Sequence, residues 1–316
     1  MRMNRLGNSD LIVSAVGAGT WAMGGDFFGT TDDKKCVDSL CASLDHGVNL
    51  IDTAPIYGRG HSEELVGKAI KGRRDKVVLA TKVGLAYGAH PNGGKGRCLK
   101  PEGIAWEIEQ SLRRLGTDYI DLYYIHWPNA DIAIEETMEA FGLLKQQGKI
   151  RAIGVSNFNK AQMEAVCRCA QLDGLQPEYN LLTRGIEAED LPFCAENDVA
   201  VLTYNSIAKG ILSGAFHFGG KVVTDFRTAK PLFQPDALQK ETPLLTLLRD
   251  VAADHGVTLS QVAIAASLAH AGVSSTIVGT QNEQHFLDNL AAAELVLTEA
   301  ELTAIDETSA RVIAAL

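Results

Sequence analysis

The chain has 316 residues, 46% hydrophobic and 22% charged, the proportions of a globular protein with room for a large core. Its formal net charge of −10 excludes general nucleic-acid binding, which asks for a basic face, and no apolar run approaches the roughly 18 residues of a membrane span. The opening MRMNRLGNSDLIVS shows no secretory h-region and the six cysteines form no CxxC pair, so a cytoplasmic location with reduced thiols is expected. Cys167-Arg-Cys169 lacks a second ligand pair, and no metal site is expected there. In chain order, short β-branched runs predict strands over 12–20, 48–54, 76–84, 119–127, 150–158, 172–180, 199–207 and 274–281. Helical segments lie between them, such as 101–116, where Ile104, Ile108, Ser111, Leu112 and Leu115 share a stripe. Gly47, Gly116 and Gly148 punctuate helix ends, and a closing helix is expected over about 283–292.

Eight β-then-α units predict a closed parallel barrel, usually about 250 residues, within one domain spanning 1–316. A doubly wound open sheet is the main rival, since alternation alone fits both. The first strand decides between them. AVGAGTWAMGG has no GxGxxG in frame, and Trp21 sits where a phosphate-approaching backbone needs space. Two connections, 85–99 and about 208–242, are longer than a barrel requires and should leave the C-terminal ends of strands, where barrel active sites lie.

Polar residues gather at those ends. Asp52 closes the second strand, Tyr57 follows in its loop, Lys82 nearly closes the third strand and His126 the fourth. Each alone has an ordinary reading: a turn cap, a rim aromatic, a snorkelling lysine, a core histidine. Their joint arrival on one rim points to chemistry. A phenol near pKa 10 is a poor acid at neutral pH, and a cation about 4 Å away favours its ionised form by roughly 4 kcal/mol at an effective dielectric of 20. Before desolvation opposes it, that is a ceiling of about three pK units. Lys82 is that cation, Asp52 orients it, His126 positions a carbonyl oxygen, and Tyr57 protonates the alkoxide that forms there. No side chain donates hydride, so a nicotinamide cofactor is required.

With these residues in place, the chain resembles the aldo-keto reductase family nearly end to end. The motifs are RLGNSDLIVSAVGAGTWAMGG, GVNLIDTAPIYGRGHSEELVGKAI, VVLATKVGL, SLRRLGTDYIDLYYIHWP, GKIRAIGVSNF, QPEYN and IVGTQNEQHFLDNL. The resemblance implies an α/β fold, a (β/α)8 TIM barrel with a short N-terminal β-hairpin and long loops at the C-terminal rim. It implies NADP(H), with the catalytic tetrad falling on Asp52, Tyr57, Lys82 and His126. Contacts to the nicotinamide carboxamide fall on Ser156, Asn157 and Gln176, with Tyr204 stacked on the ring. Asn205, Ser206, Ile207, Lys209 and Gly210 resemble the pyrophosphate cover. Gly279, Thr280, Gln281, His285, Asp288 and Asn289 resemble the adenosine end, where amides opening the last helix face phosphate. Gly19, Thr20 and Trp21 approach the cofactor from the first strand. Trp21, Tyr57, His126 and Trp127 bound the substrate pocket, with Phe28 and Tyr87 as further walls. Two departures stand out: Tyr204-Asn205-Ser206 replaces a common Tyr-x-Pro, and Gln281 stands where NADPH-using relatives often place Arg. An amide grips a dianion less well than a guanidinium, so Lys209 or His285 is asked to compensate and NAD(H) stays open.

The expected function is NAD(P)H-dependent reduction of aldehydes and some ketones, with sugar or polyol oxidation at the same site as the alternative. A regulatory barrel subunit, like the potassium-channel β-subunits, is set back by the complete tetrad, and a phosphate-sugar isomerase by the absence of a base carboxylate. Oligomeric state and natural substrate stay open.

Overall fold

The structure is a computed structural model that describes residues 1–26, 29, 31–91, 93, 95–279 and 281–316. A hairpin of Met3–Arg5 and Ile12–Ser14 opens the chain. The barrel follows from β1 (Val16–Gly19), β2 (Leu50–Asp52), β3 (Val78–Val83), β4 (Ile120–Ile125), β5 (Ile150–Ser156), β6 (Gly174–Gln176), β7 (Ala200–Thr203) and β8 (Val273–Gly279). Every neighbouring pair is parallel and β8 closes on β1. The helices are α1 (Asp33–Asp45), α2 (His61–Ile70), α3 (Pro101–Leu115), α4 (Ile134–Gln146), α5 (Lys160–Cys167), α6 (Asp190–Glu196), α7 (Pro235–His255), α8 (Leu259–Ala269), α9 (Glu283–Leu290) and α10 (Glu299–Ala315).

The period of two along each strand builds two cores. Leu122 and Tyr124 point into the barrel with Leu50, Val78, Ala80, Leu202 and Ile277. Tyr123 between them points outward to Phe141 of α4. Leu6, Leu11 and Val13 of the hairpin join the inner cluster, so the hairpin plugs the N-terminal mouth and leaves the opposite rim open. Helix α3 starts at Pro101 after an extended Lys100, buries the predicted stripe, and ends at Gly116 in the left-handed region, φ 63°. Glu107, on the same face as Ile104 and Ser111, is buried as well. Both its oxygens accept from the Gly84 amide, at 3.3 and 3.2 Å, yet burial pushes its carboxyl up to about 8.

Each of the eight predicted windows overlaps a barrel strand; the structure corrects the first window and the closing helix and details the two long connections. The window 12–20 contains two elements, the hairpin strand and β1. Asn49 separates them by accepting the Ser14 amide at 2.8 Å and donating to the Ile12 carbonyl at 2.7 Å. The 85–99 connection carries a second hairpin, Leu85–Tyr87 with Lys95–Arg97. The 208–242 connection is a run of short 3-10 turns that ends where α7 begins at Pro235. The expected closing helix, α9, is followed by α10, which holds residues 304–315, is capped by Thr298 and Glu301 and is tied back by Ser309 Oγ donating to the Leu181 carbonyl at 2.6 Å.

Candidate active site

The parallel register pairs Asp52 with Ala80 and Lys82 with Tyr124, which brings the ends of β2, β3 and β4 level on the open rim. Lys82 is 1% exposed and Asp52 4%. The ammonium of Lys82 donates to Asp52 Oδ2 at 2.8 Å and Oδ1 at 2.9 Å, to the Thr53 carbonyl at 3.0 Å, and to the Tyr57 hydroxyl at 3.2 Å. Gln176 Nε2, from the end of β6, donates to Asp52 Oδ1 at 2.7 Å. A carboxylate so placed fixes the cation, and the cation meets the phenol.

The electrostatics follow from burial and these partners. Asp52 and Tyr57 outweigh the desolvation of Lys82 and hold its ammonium above the ordinary value. Burial raises the Tyr57 phenol, while Lys82 pulls it down; burial wins, so the net shift is upward, which corrects the sequence expectation of a lowered value. Lys82 limits that rise. Burial, and secondarily Lys82, drive His126 well below 6.5, so its ring is neutral at physiological pH. The His126 ring meets Tyr57 edge-on, with centroids 6.1 Å apart. A neutral imidazole and a protonated phenol therefore share the rim above a buried ammonium.

Residues ending β5 to β7 form an adjoining network. Asn157, left-handed at φ 62°, donates through Nδ2 to the His126 carbonyl and to Ser156 Oγ, each at 3.0 Å. Its Oδ1 accepts from the Tyr204 hydroxyl at 2.8 Å, and Ser156 Oγ donates to the Gln176 carbonyl at 2.8 Å. These groups open onto a cleft of about 970 Å3 that runs to the start of α9. Most of the predicted site residues line it: Gly19, Thr20, Trp21, Asp52, Tyr57, His126, Trp127, Ser156, Asn157, Gln176, Tyr204, Asn205, Ser206, Ile207, Lys209, Gly210, Gly279, Gln281, His285 and Asn289.

Some placements differ. Lys82 lies beneath the cleft floor rather than on it. Asp288 is not a lining residue; its carboxylate accepts from Gln284 along α9 at 2.8 Å. Tyr87 is also away from the cleft, near Arg114, Glu63 and Glu107. Thr280 and Phe28 fall outside the described residues. Of the amides opening α9, that of His285 is taken by Asn282 Oδ1 at 2.9 Å. Lys209 is already paired with Glu178 at 3.2 Å, so it is a compromised substitute for an arginine at position 281.

Sequence reasoning missed Asp26, Arg59, Glu178, Asn282 and Arg227 among the lining residues. Glu178 carried a usable signal, a charged residue two positions beyond the end of β6; Arg227 lies deep in the long connection and carried none. Its guanidinium is held by Asp225 at 2.6 Å and donates to the Lys209 carbonyl at 2.9 Å, while neighbouring Phe226 meets Trp21 edge-on at 6.2 Å. The connection thus arches over the cleft toward the β1 loop.

Backbone contact between two loops places Tyr57. A Cβ built on Gly24 would stand 2.5 Å from the Gly58 amide nitrogen and 2.7 Å from the Tyr57 carbonyl carbon, and Asp26 Oδ2 accepts the Gly58 amide at 3.0 Å. Gly24→Ala is therefore expected to lower turnover at least tenfold by moving Tyr57, with a smaller effect on the denaturation midpoint because the contact is partly exposed. Steady-state kinetics beside a denaturant titration check this.

The cleft fits an elongated dinucleotide. Asn205, Ala208, Lys209 and Gly210 all have positive φ, from 48° to 102°, a backbone nest suited to an anion. A Cβ at Gly279 meets nothing within 4 Å, so the floor there is open to a ligand. Amide and hydroxyl groups of Ser156, Asn157 and Gln176 supply directional contacts at one end, and Gln281, Asn282 and Asn289 at the other.

A model described as the aldo/keto reductase family matches residues 15–310. The NADH-specific methylglyoxal reductase of Escherichia coli is 34% identical, over 97% of this chain and 98% of that protein. The structure of a glycerol dehydrogenase from Gluconobacter oxydans, 35% identical, superposes with a TM-score of 0.89 over 98% of this chain and 95% of that one. That of an aldo/keto reductase from Klebsiella pneumoniae in complex with NADP and acetate, 34% identical, gives 0.76 over 97% and 95%.

Proposed function

The chain belongs to the aldo/keto reductase family of oxidoreductases, and from that premise we propose that it reduces aldehydes and some ketones to alcohols with NAD(P)H. The observation that carries this reading is the contact of a buried, carboxylate-bound ammonium with a rim phenol, Lys82 Nζ to Tyr57 OH at 3.2 Å. A nicotinamide cofactor supplies hydride when bound. Tyr57 holds the proton that the developing alkoxide takes, Lys82 lowers the cost of releasing it, and Asp52 keeps Lys82 charged and aimed. Neutral His126 shares the carbonyl oxygen with Tyr57, and Trp21 and Trp127 keep water from it.

Ser156, Asn157 and Gln176 would hold the carboxamide, Tyr204 the ring face, and Asn205 to Gly210 the pyrophosphate. The NADP in the Klebsiella structure supports NADP(H) as the favoured form. The name of the Escherichia coli relative, the amide at Gln281 and the engagement of Lys209 by Glu178 support acceptance of NAD(H) as well. NADPH is expected to raise the unfolding temperature most, with apparent affinities for NADPH and NADH within about tenfold, or ~1.4 kcal/mol. Parallel thermal unfolding with each nucleotide measures this; stronger protection by NADH reverses the assignment.

A second reading, oxidation of a sugar or polyol at the same site, draws support from the glycerol dehydrogenase neighbour. Turnover of an aldehyde with NADPH is compared with turnover of a polyol with NADP+. Higher catalytic efficiency with the polyol favours the second reading, and no turnover in either direction counts against both.

A further inference from the structure

Among the described residues, three lysine or arginine side chains line the cleft: Arg59, Lys209 and Arg227. Two are engaged within the protein, Lys209 by Glu178 at 3.2 Å and Arg227 by Asp225 at 2.6 Å. Among the described residues, the guanidinium of Arg59 has no hydrogen-bond or ion-pair partner. Asp26 is the nearby candidate counter-charge in the β1 loop, yet it forms no ion pair with Arg59 and accepts the Gly58 amide instead.

The backbone holds Arg59 in an unusual way. Gly58, Arg59 and Gly60 are successively left-handed, with φ of 60°, 53° and 99°. Glycine enters that region freely, whereas a side chain with a Cβ is strained there, and such strain persists where surrounding structure fixes it. Here the contact of Gly58 with Gly24 and the bond to Asp26 fix the turn. The strained residue stands two positions after Tyr57 and faces the same cleft.

We propose that Arg59 is an anion-binding residue of the substrate pocket, and that the preferred carbonyl substrates carry a carboxylate or phosphate away from the reacting carbon. The inference rests on the reductase reading above and adds the substrate class. The lining near Tyr57 is otherwise largely apolar, with Trp21, Leu85 and Trp127, so an uncharged alkyl aldehyde makes no use of a guanidinium there. A chain of net charge −10 repels anions at long range, and an anionic substrate therefore needs a local cation. A planar guanidinium left unpaired matches carboxylate and phosphate oxygens two at a time. Lys82 does not serve, because it is buried and committed to Asp52.

The test compares kcat/KM within two substrate pairs: succinic semialdehyde against butanal, and glyceraldehyde 3-phosphate against glyceraldehyde. In the wild type the charged member of at least one pair is expected to be favoured about tenfold at low salt, with the advantage shrinking as salt screens it. Arg59→Met should reduce that charged-to-neutral ratio about tenfold, chiefly through KM, and Arg59→Lys should retain part of it. The pair that responds identifies carboxylate or phosphate as the recognised group. Should Arg59→Met fail to fold, the Lys variant and the wild-type salt dependence decide. Turnover of the neutral members with a ratio unaffected by salt or by Arg59 overturns this inference alone. No turnover of any of the four overturns the reductase reading, and this inference with it.

Discussion

Tyr57→Phe is expected to reduce aldehyde turnover by roughly 100- to 10,000-fold while nucleotide binding stays near normal. The substitution deletes one hydroxyl, which faces Lys82 at 3.2 Å, and keeps the ring that packs edge-on against His126. Binding is followed by nucleotide protection against unfolding and turnover by loss of NADPH absorbance. Near-normal turnover would remove Tyr57 as the acid. The pH profile adds a second check. Because the folded-state phenol is raised above 10, the acid is protonated throughout the neutral range. The reductive rate should therefore be flat there and fall only in alkali, whereas the oxidative rate, which needs the phenolate, should climb toward the same limb. That limb belongs to Tyr57 and Lys82 together. His126, held well below 6.5, should contribute no step near its ordinary value. A reductive profile that breaks near 6.5 would mean the histidine supplies the proton.

The parts of this molecule open to sequence reading are those in which one local pattern has one physical cause. Short apolar runs around Leu50, Leu122 and Leu202 marked strands because parallel barrel strands are buried on both faces and read as near-continuous apolar segments. Asp52, Lys82 and His126 stood out because each puts a polar group at the end of such a run. Asp121 shows the limit of that signal: it lies in the same YIDLYYIHW run as His126, but near the start of β4, where Arg74 and Arg151 each bind it at 2.7 Å. Position along the strand, and not residue type, separates the two roles. Distant pairings stayed hidden. Glu178 engages Lys209 from 31 positions away, which changes what the lysine can offer a phosphate. Burial also stayed hidden in degree: the sign of the Tyr57 shift turns on how much desolvation opposes Lys82, a balance that spacing does not reveal. The glycine-rich 85–99 segment gave no strand signal because its hairpin strands are only three residues each.

Lys82→Met carries the largest expected effect on stability. It leaves the Asp52 carboxylate, 4% exposed, with Gln176 but no cation. Removing one partner of a buried ion pair typically costs about 3–5 kcal/mol, because the remaining charge is uncompensated. Turnover should fall with it, since Tyr57 then keeps the full upward push of burial. The two losses are separable. In Asp52→Asn/Lys82→Met no charge is stranded, so most of the stability should return while activity stays absent. Denaturant midpoints and single-turnover rates of the wild type, single and double variants read the two effects apart. Alkaline pH supplies an independent sign. The folded-state ammonium lies above its ordinary 10.5, so its stabilising contribution is complete below that value and drains away as pH rises through the raised one. Wild-type stability should therefore decline above about 10.5, by a component that both Lys82→Met proteins lack. A single variant that unfolds at the wild-type midpoint would show that the Asp52–Lys82 pair does not hold this rim together. A double variant that regains turnover would show that Tyr57 needs no cation beneath it.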